Sequence, residues 1–102
     1  MKVDHIAIVV EDPQAAAKWY SDMLGAECVY ADETWSLVQF ENIKMAFVVA
    51  NQHPRHVAFN INKLPPTAKE HRDGSKSIYR KDPWGNIYEL VVYPEDHTEA
   101  LE

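Results

Sequence analysis

The 102-residue chain is long enough to bury a core and short enough to form one domain. Its formal net charge of −6 argues against a nucleic-acid partner, because contacts to phosphates need a basic surface. No run approaches the roughly 20 apolar residues of a membrane helix, the N-terminal segment has no signal-peptide pattern, and Cys28 is the only cysteine. We therefore expect a cytoplasmic protein without a membrane partner or a disulfide.

The first fifty residues are predicted to form a β-α-β-β-β module. Residues 2–10 alternate as a strand, with His5 on the face away from the aliphatic side chains. A helix should follow, with Asp12 as its N-cap, Pro13 in its first turn and Gly25 after its last turn. Three strands are expected at residues 27–30, 34–40 and 43–49.

The second half of the chain repeats the first. Residues 55–61 match residues 4–10, which places His56 at the position of His5. Residues 88–92 match residues 45–49, which places Glu89 at the position of Ala46. Between them we predict a helix over residues 65–72, ended by Gly74, and a hairpin that turns at residues 82–85.

These patterns predict an α+β fold of paired βαβββ modules. The modules should form a curved-sheet cup with one helix packed outside each, the second module being shortened by one strand. We expect a single domain over residues 1–102, with module one at about 1–50, module two at about 54–94 and an acidic tail at 95–102.

Two histidines and one glutamate are predicted to meet inside the cup. Glu89 lies in an apolar strand, where a carboxylate is costly unless a cation or strong donors accompany it. One strand histidine alone would more simply be a core residue, but His5 and His56 are equivalent in the repeat and share the inward face with Glu89. Two histidines and a carboxylate form the facial triad of non-haem Fe(II) oxygenases, and Zn(II) or Mn(II) uses similar ligands.

The chain resembles the vicinal oxygen chelate superfamily, which includes glyoxalase I, extradiol dioxygenases and the fosfomycin- and bleomycin-resistance proteins. The resemblance rests on DHIAIVVEDPQAAAKWYSDMLG near the start, RHVAFNI in the middle and YRKDPWGNIYEL near the end. It implies a divalent metal held by His5, His56 and Glu89. The fourth ligand of glyoxalase I-type members falls on Ala46, which cannot bind a metal.

The last hairpin is most similar to that of extradiol dioxygenases, which carry a His, a Tyr, D-P-x-G and the ligand Glu in this order. The corresponding residues are His71, Tyr79, residues 82–85 and Glu89. The resemblance implies an Fe(II) enzyme for catechol-type substrates, with Tyr79 and His71 as acid/base groups. At a predicted helix end, His71 equally fits a cation that offsets the helix dipole, and Tyr79 also fits the fosfomycin-modifying enzymes.

Three functions stay open at this stage. The first is an extradiol dioxygenase-like oxidoreductase, and the second is a glyoxalase- or fosfomycin-resistance-type enzyme with Mn(II) or Zn(II). The third is a non-catalytic drug- or metabolite-binding protein. We expect a small-molecule substrate and a homodimer, because a missing strand exposes a sheet edge. His53 and His97 lie in polar contexts and are predicted to have no role.

Overall fold

The computed structural model describes residues 1–64, 67–71 and 74–94, so the tail with His97 lies outside the described residues. The elements are β1 (Lys2–Val9), α1 (Pro13–Leu24), β2 (Glu27–Ala31), β3 (Trp35–Gln39), β4 (Lys44–Val48), β5 (His56–Asn60), β6 (Lys69–Glu70), β7 (Lys76–Lys81) and β8 (Ile87–Val92). The strands form one curved, open sheet in the order β2-β3-β4-β1-β5-β8-β7-β6. The predicted α+β class is confirmed. In the described part of the chain, no helix is long and apolar enough to cross a membrane.

The two modules meet at the pairing of β1 with β5. These strands run antiparallel, with His5 opposite Ala58 and Ala7 opposite His56, which is the reciprocal pattern of a local twofold axis. On the outer sides, β1 pairs in parallel with β4 and β5 pairs in parallel with β8. The repeat seen in the sequence is therefore a structural repeat that joins the modules at the centre of the sheet.

Helix α1 has the predicted ends. The Asp12 carboxylate accepts a hydrogen bond from Ala15 N at 3.1 Å, and Pro13 is the first helical residue. Gly25 follows the last turn with φ of 76°, a left-handed conformation that a glycine adopts without strain. The capped helix packs against β2, β3 and β4.

The core lies between α1 and the first module's sheet. Its buried members are Ala17, Ala26, Val38 and Phe47, with Ile8, Val10, Ala16, Tyr20, Phe40 and Met45 packed around them. In the sequence of α1, Ala16, Trp19, Tyr20 and Met23 recur at helical spacing and predict an apolar stripe that covers the sheet. Trp19 is 53% exposed and Met23 64% exposed, so small side chains and Tyr20 form the contact instead.

The second module differs from its prediction in the segment before the hairpin. Lys69–Glu70 is a strand that pairs with β7, and Gly74, with φ of 87°, lies in the turn between them. The helix predicted for residues 65–72 is therefore wrong, and no helix follows β5 among the described residues. In the described part of the second module there are four strands, and the element that it lacks relative to module one is the helix. Among residues 67–71, Ala68 is the only apolar residue, so a helix there would have no apolar face to pack against the sheet. Pairing with β7 instead provides hydrogen bonds for the backbone of Lys69 and Glu70.

The final hairpin forms as predicted. The Asp82 carboxylate accepts hydrogen bonds from Trp84 N at 2.9 Å and Asn86 N at 2.8 Å. Gly85 has φ of 87°, which the bend requires. The resulting register places Tyr79 directly opposite Glu89.

Candidate functional site

The sheet brings His5, His56 and Glu89 to one face. His5 on β1 lies opposite Ala58 on β5, and Ala58 in turn lies beside Glu89 on β8. His56 is two residues before Ala58, so strand alternation points its side chain to the same side. The three side chains named from the sequence are thus neighbours on adjacent central strands.

The ligand atoms of these residues lie close together. The Glu89 carboxylate oxygen Oε1 is 3.5 Å from Nε2 of His5 and 3.2 Å from Nε2 of His56. All three ligand atoms lie within 4.8 Å of one another. Metal bonds of about 2.0–2.2 Å hold ligand atoms roughly 3 Å apart, so both distances from Glu89 suit a bound transition metal. The side chains are 15%, 3% and 10% exposed for His5, His56 and Glu89, so the cluster is buried.

Each imidazole has an outer partner at Nδ1. The His5 Nδ1 atom is 2.7 Å from Asp4 Oδ2, and the His56 Nδ1 atom is 2.7 Å from the Pro54 carbonyl oxygen. Because a carbonyl oxygen only accepts, His56 Nδ1 carries the proton and neutral His56 has its lone pair on Nε2. Outer partners of this kind are typical of metal-binding histidines.

The Nε2 atom of His56 gives the strongest indication of a bound cation. It is buried, and it has no hydrogen-bond partner in the part of the chain that the structure describes. Its lone pair faces the Glu89 carboxylate across 3.2 Å, an arrangement that needs a cation or a proton between the two atoms. The residues therefore fit a divalent metal.

Electrostatics hold the glutamate ionised. Burial opposes the charge of Glu89, but hydrogen bonding from His5 and Ser77 and the positive charge of His5 outweigh burial and lower the pKa of this carboxyl far below its usual range. Burial likewise opposes a charged His5, but its hydrogen bonds to Asp4 and Glu89 raise the pKa of His5 to about 9. Without a metal, a proton on His5 thus balances the carboxylate.

Among the described residues, His71 contacts Ser77 rather than the three clustered side chains. Ser77 is buried, at 3% exposure, and its hydroxyl helps to lower the pKa of the Glu89 carboxyl. His71 Nε2 lies 2.7 Å from the Ser77 hydroxyl oxygen, within hydrogen-bond distance. His71 follows β6, at the edge of the cavity, and not a helix end as predicted. Ser77 was not predicted as a site residue, although it shares its strand face with Tyr79.

Tyr79 lies beside the cluster, as its place on the hairpin predicted. Its ring packs edge-on against His56, with ring centres 5.0 Å apart, and its hydroxyl is 3.3 Å from Nδ1 of His53. Burial, followed by the Glu89 charge, raises the pKa of Tyr79 and keeps the phenol neutral. Burial lowers the pKa of His53, which favours a neutral acceptor. His53 was expected to have no role, yet it lines the cavity.

A cavity of about 630 Å³ opens over the three side chains, a size typical of small-molecule sites. One wall is apolar and is formed by Ala7, Trp35, Leu37, Ala46 and Val48. The other carries polar groups from Gln52, His53, Lys69, His71 and Tyr79. Ala46 pairs with Ala7 as Glu89 pairs with Ala58, so the module-one counterpart of the glutamate is an apolar surface. The side of the cluster opposite Glu89 thus offers space rather than a fourth ligand.

The chain belongs to the glyoxalase/bleomycin resistance protein/dioxygenase superfamily, whose family model matches residues 2–75. The match includes His5 and His56 and ends before Tyr79 and Glu89. No curated protein matches this chain in sequence.

Solved structures with the same fold include methylmalonyl-CoA epimerases. That of Mycobacterium tuberculosis is 18% identical with a TM-score of 0.71, over 95% of this chain and 91% of the epimerase. That of Streptomyces coelicolor, bound to 2-nitronate-propionyl-CoA, is 14% identical with a TM-score of 0.74, over 92% and 95%. An NAD-dependent benzaldehyde dehydrogenase from Legionella pneumophila is 10% identical with a TM-score of 0.68, over 87% and 97%. These structural similarities establish the βαβββ fold. The reaction has to be inferred from the residues of the site.

Proposed function

We propose that this chain is a metal-dependent enzyme that holds one divalent metal through His5, His56 and Glu89. The observation that carries the proposal is the buried, unpartnered Nε2 of His56, which faces an ionised carboxylate. A divalent metal would bind both the His56 nitrogen and the Glu89 carboxylate and so offset the cost of burying them. Without a cation, a desolvated lone pair faces a negative charge. Three ligands leave coordination positions open, as catalytic sites do.

The substrate is a small molecule with two adjacent oxygens. A bound metal would act as a Lewis acid toward such a pair, and as Fe(II) it would also support chemistry with O₂. The apolar wall around Ala46 accommodates the body of the substrate, and the open metal positions face it. The neutral Tyr79 hydroxyl donates to the anionic substrate oxygen, and His53 accepts from that hydroxyl when the substrate is absent.

Within this class we favour an extradiol dioxygenase-like reaction on a catechol-type substrate, with Fe(II). The support is the two-histidine, one-carboxylate set together with a phenol beside it. His71 acts on Glu89 through Ser77, which makes Tyr79 the better candidate for contact with substrate.

A second candidate is a reaction of a chelated substrate that needs no O₂, such as isomerisation, epimerisation or epoxide opening, with Mn(II) or Zn(II). It is supported by the shared fold of the methylmalonyl-CoA epimerases. A non-catalytic drug- or metabolite-binding cup is the third reading, and the intact triad weighs against it.

Metal analysis of the purified protein tests the class. We expect one metal per chain in wild type, loss of the metal in His56→Ala, and full retention in His53→Ala, which removes a histidine of the same cavity that is not a ligand. Stoichiometric metal in His56→Ala would reject the site. For the reaction, the Fe(II) protein is given catechols while oxygen consumption is followed. Metal binding without oxygen uptake would favour the second candidate.

We also propose a homodimer in the cytoplasm. Strand β2 is an edge strand with all five residues exposed, among them Val29 at 55% and Tyr30 at 41%. Open edges with apolar side chains are usually covered. Sedimentation velocity that shows a monomer at high micromolar concentration would refute the dimer.

A further inference from the structure

Strand β1 has a bulge at Asp4. Its partners along β5 are Phe59 for Val3 and Ala58 for His5, so Asp4 has no residue opposite it. In a regular strand, neighbouring side chains point to opposite faces, whereas a bulge interrupts the alternation. The Asp4 carboxylate consequently reaches the imidazole of the very next residue, with Oδ2 2.7 Å from His5 Nδ1.

Three strands hold this carboxylate in place. The Asp4 side chain is only 8% exposed, and the Tyr93 hydroxyl, just after β8, donates to the same oxygen at 2.6 Å. From β4, the Lys44 ammonium lies 3.7 Å from Oδ1 and 5.3 Å from the centre of the Tyr93 ring. A buried carboxylate with hydrogen bonds and a cation around it is fixed in position and ionised.

We propose that Asp4 is a positioning residue for the metal site, an inference that rests on the proposed function. Its carboxylate keeps a proton on Nδ1 of His5, so that Nε2 is the atom that binds the metal. The negative charge of the carboxylate also makes Nε2 a stronger electron-pair donor to the metal. His56 obtains its orientation from the neutral Pro54 carbonyl instead. The two histidine ligands, equivalent in the repeat, therefore have different outer partners, a carboxylate for His5 and a backbone carbonyl for His56.

The test uses three variants and measures zinc affinity by competition with a chromophoric chelator. Asp4→Asn keeps an acceptor but loses the charge, and we expect the dissociation constant to rise about 10-fold. Asp4→Leu loses both properties, and we expect a rise near 100-fold. Tyr93→Phe removes only the hydroxyl that holds Asp4 and should weaken binding in the same direction by a smaller factor.

A spectroscopic measurement separates positioning from stability. In zinc-loaded protein with ¹⁵N-labelled histidine, His5 of wild type should show a protonated Nδ1 and a metal-bound Nε2. In Asp4→Leu the Nδ1 atom keeps its proton but loses the carboxylate that accepts it, so the ¹⁵N signal of Nδ1 should shift away from its position in wild type. If the variants lower only the melting temperature, and the zinc affinity and the His5 nitrogen shifts stay as in wild type, Asp4 is structural and the inference fails.

The same experiment keeps the two proposals apart. If wild type binds zinc, His56→Ala does not, and Asp4→Leu binds like wild type, the metal site stands and only the role of Asp4 is rejected. If wild type itself binds no divalent metal, the proposed function is rejected, and the role of Asp4, which depends on it, is rejected as well.

Discussion

Replacing Tyr79 with phenylalanine removes one hydroxyl beside the candidate metal site. In the free protein that hydroxyl makes a 3.3 Å contact with His53, and the side chain is 39% exposed. A hydrogen bond this long and this open to water contributes at most about 1 kcal/mol to the free energy of unfolding. We therefore expect the melting temperature to fall by less than about 5 °C.

The effect on ligand binding should be larger. A hydrogen bond to a charged oxygen is worth about 1.5–3 kcal/mol, which corresponds to about 10- to 150-fold in a dissociation constant. The assay is calorimetric titration of the metal-loaded protein with 4-nitrocatechol, which offers two adjacent oxygens. Tyr79→Phe should lose affinity within this range while it keeps its metal.

The matched control is Tyr88→Phe. Tyr88 lies on the neighbouring strand β8, next to Glu89 in sequence, and strand alternation points it to the other face of the sheet, where it packs edge-on with Phe59. The same chemical change there should leave chelator binding unaltered. If Tyr79→Phe binds 4-nitrocatechol as wild type does, with equal metal content, Tyr79 is a packing residue and the proposed contact with substrate is wrong.

Three further predictions concern the fold and the metal-free protein. Asp12→Ala removes the N-cap of α1 and should lower the free energy of unfolding by about 1 kcal/mol in urea titration, whereas the exposed change Asp22→Ala in the last turn should cost less. Phe47→Ala, at a fully buried position, should cost about 3–5 kcal/mol, and a cost below 1 kcal/mol would contradict the core assignment. Because the pKa of His5 is raised from 6.5 to about 9, its charge stabilises the metal-free protein fully below about pH 6.5, and this contribution is lost as the pH rises through 9. Melting curves with a chelator present should show that decline, and Glu89→Gln should show a smaller one.

Features that depend on adjacent residues were predictable from the sequence. The caps of α1 follow from the chemistry of Asp12, Pro13 and Gly25, each of which acts on backbone within a few residues. The strands of module one fall within two residues of their predicted bounds. The convergence of His5, His56 and Glu89 followed from strand parity and the internal repeat, because equal positions in two paired modules point to the same side.

Features that depend on a distant partner were decided by the tertiary structure. Lys69–Glu70 becomes a strand only because β7 offers it a free edge, so the prolines and glycine around it were misread as helix signals. Asp4 turns toward His5 because β1 bulges against β5, and the surroundings of Asp4 come from Lys44 on β4 and from Tyr93 just after β8. The sequence by itself thus determined the three candidate ligands and the strands that carry them. The hydrogen bonds that orient the ligands depend on pairing between strands far apart in the chain, which no local pattern encodes.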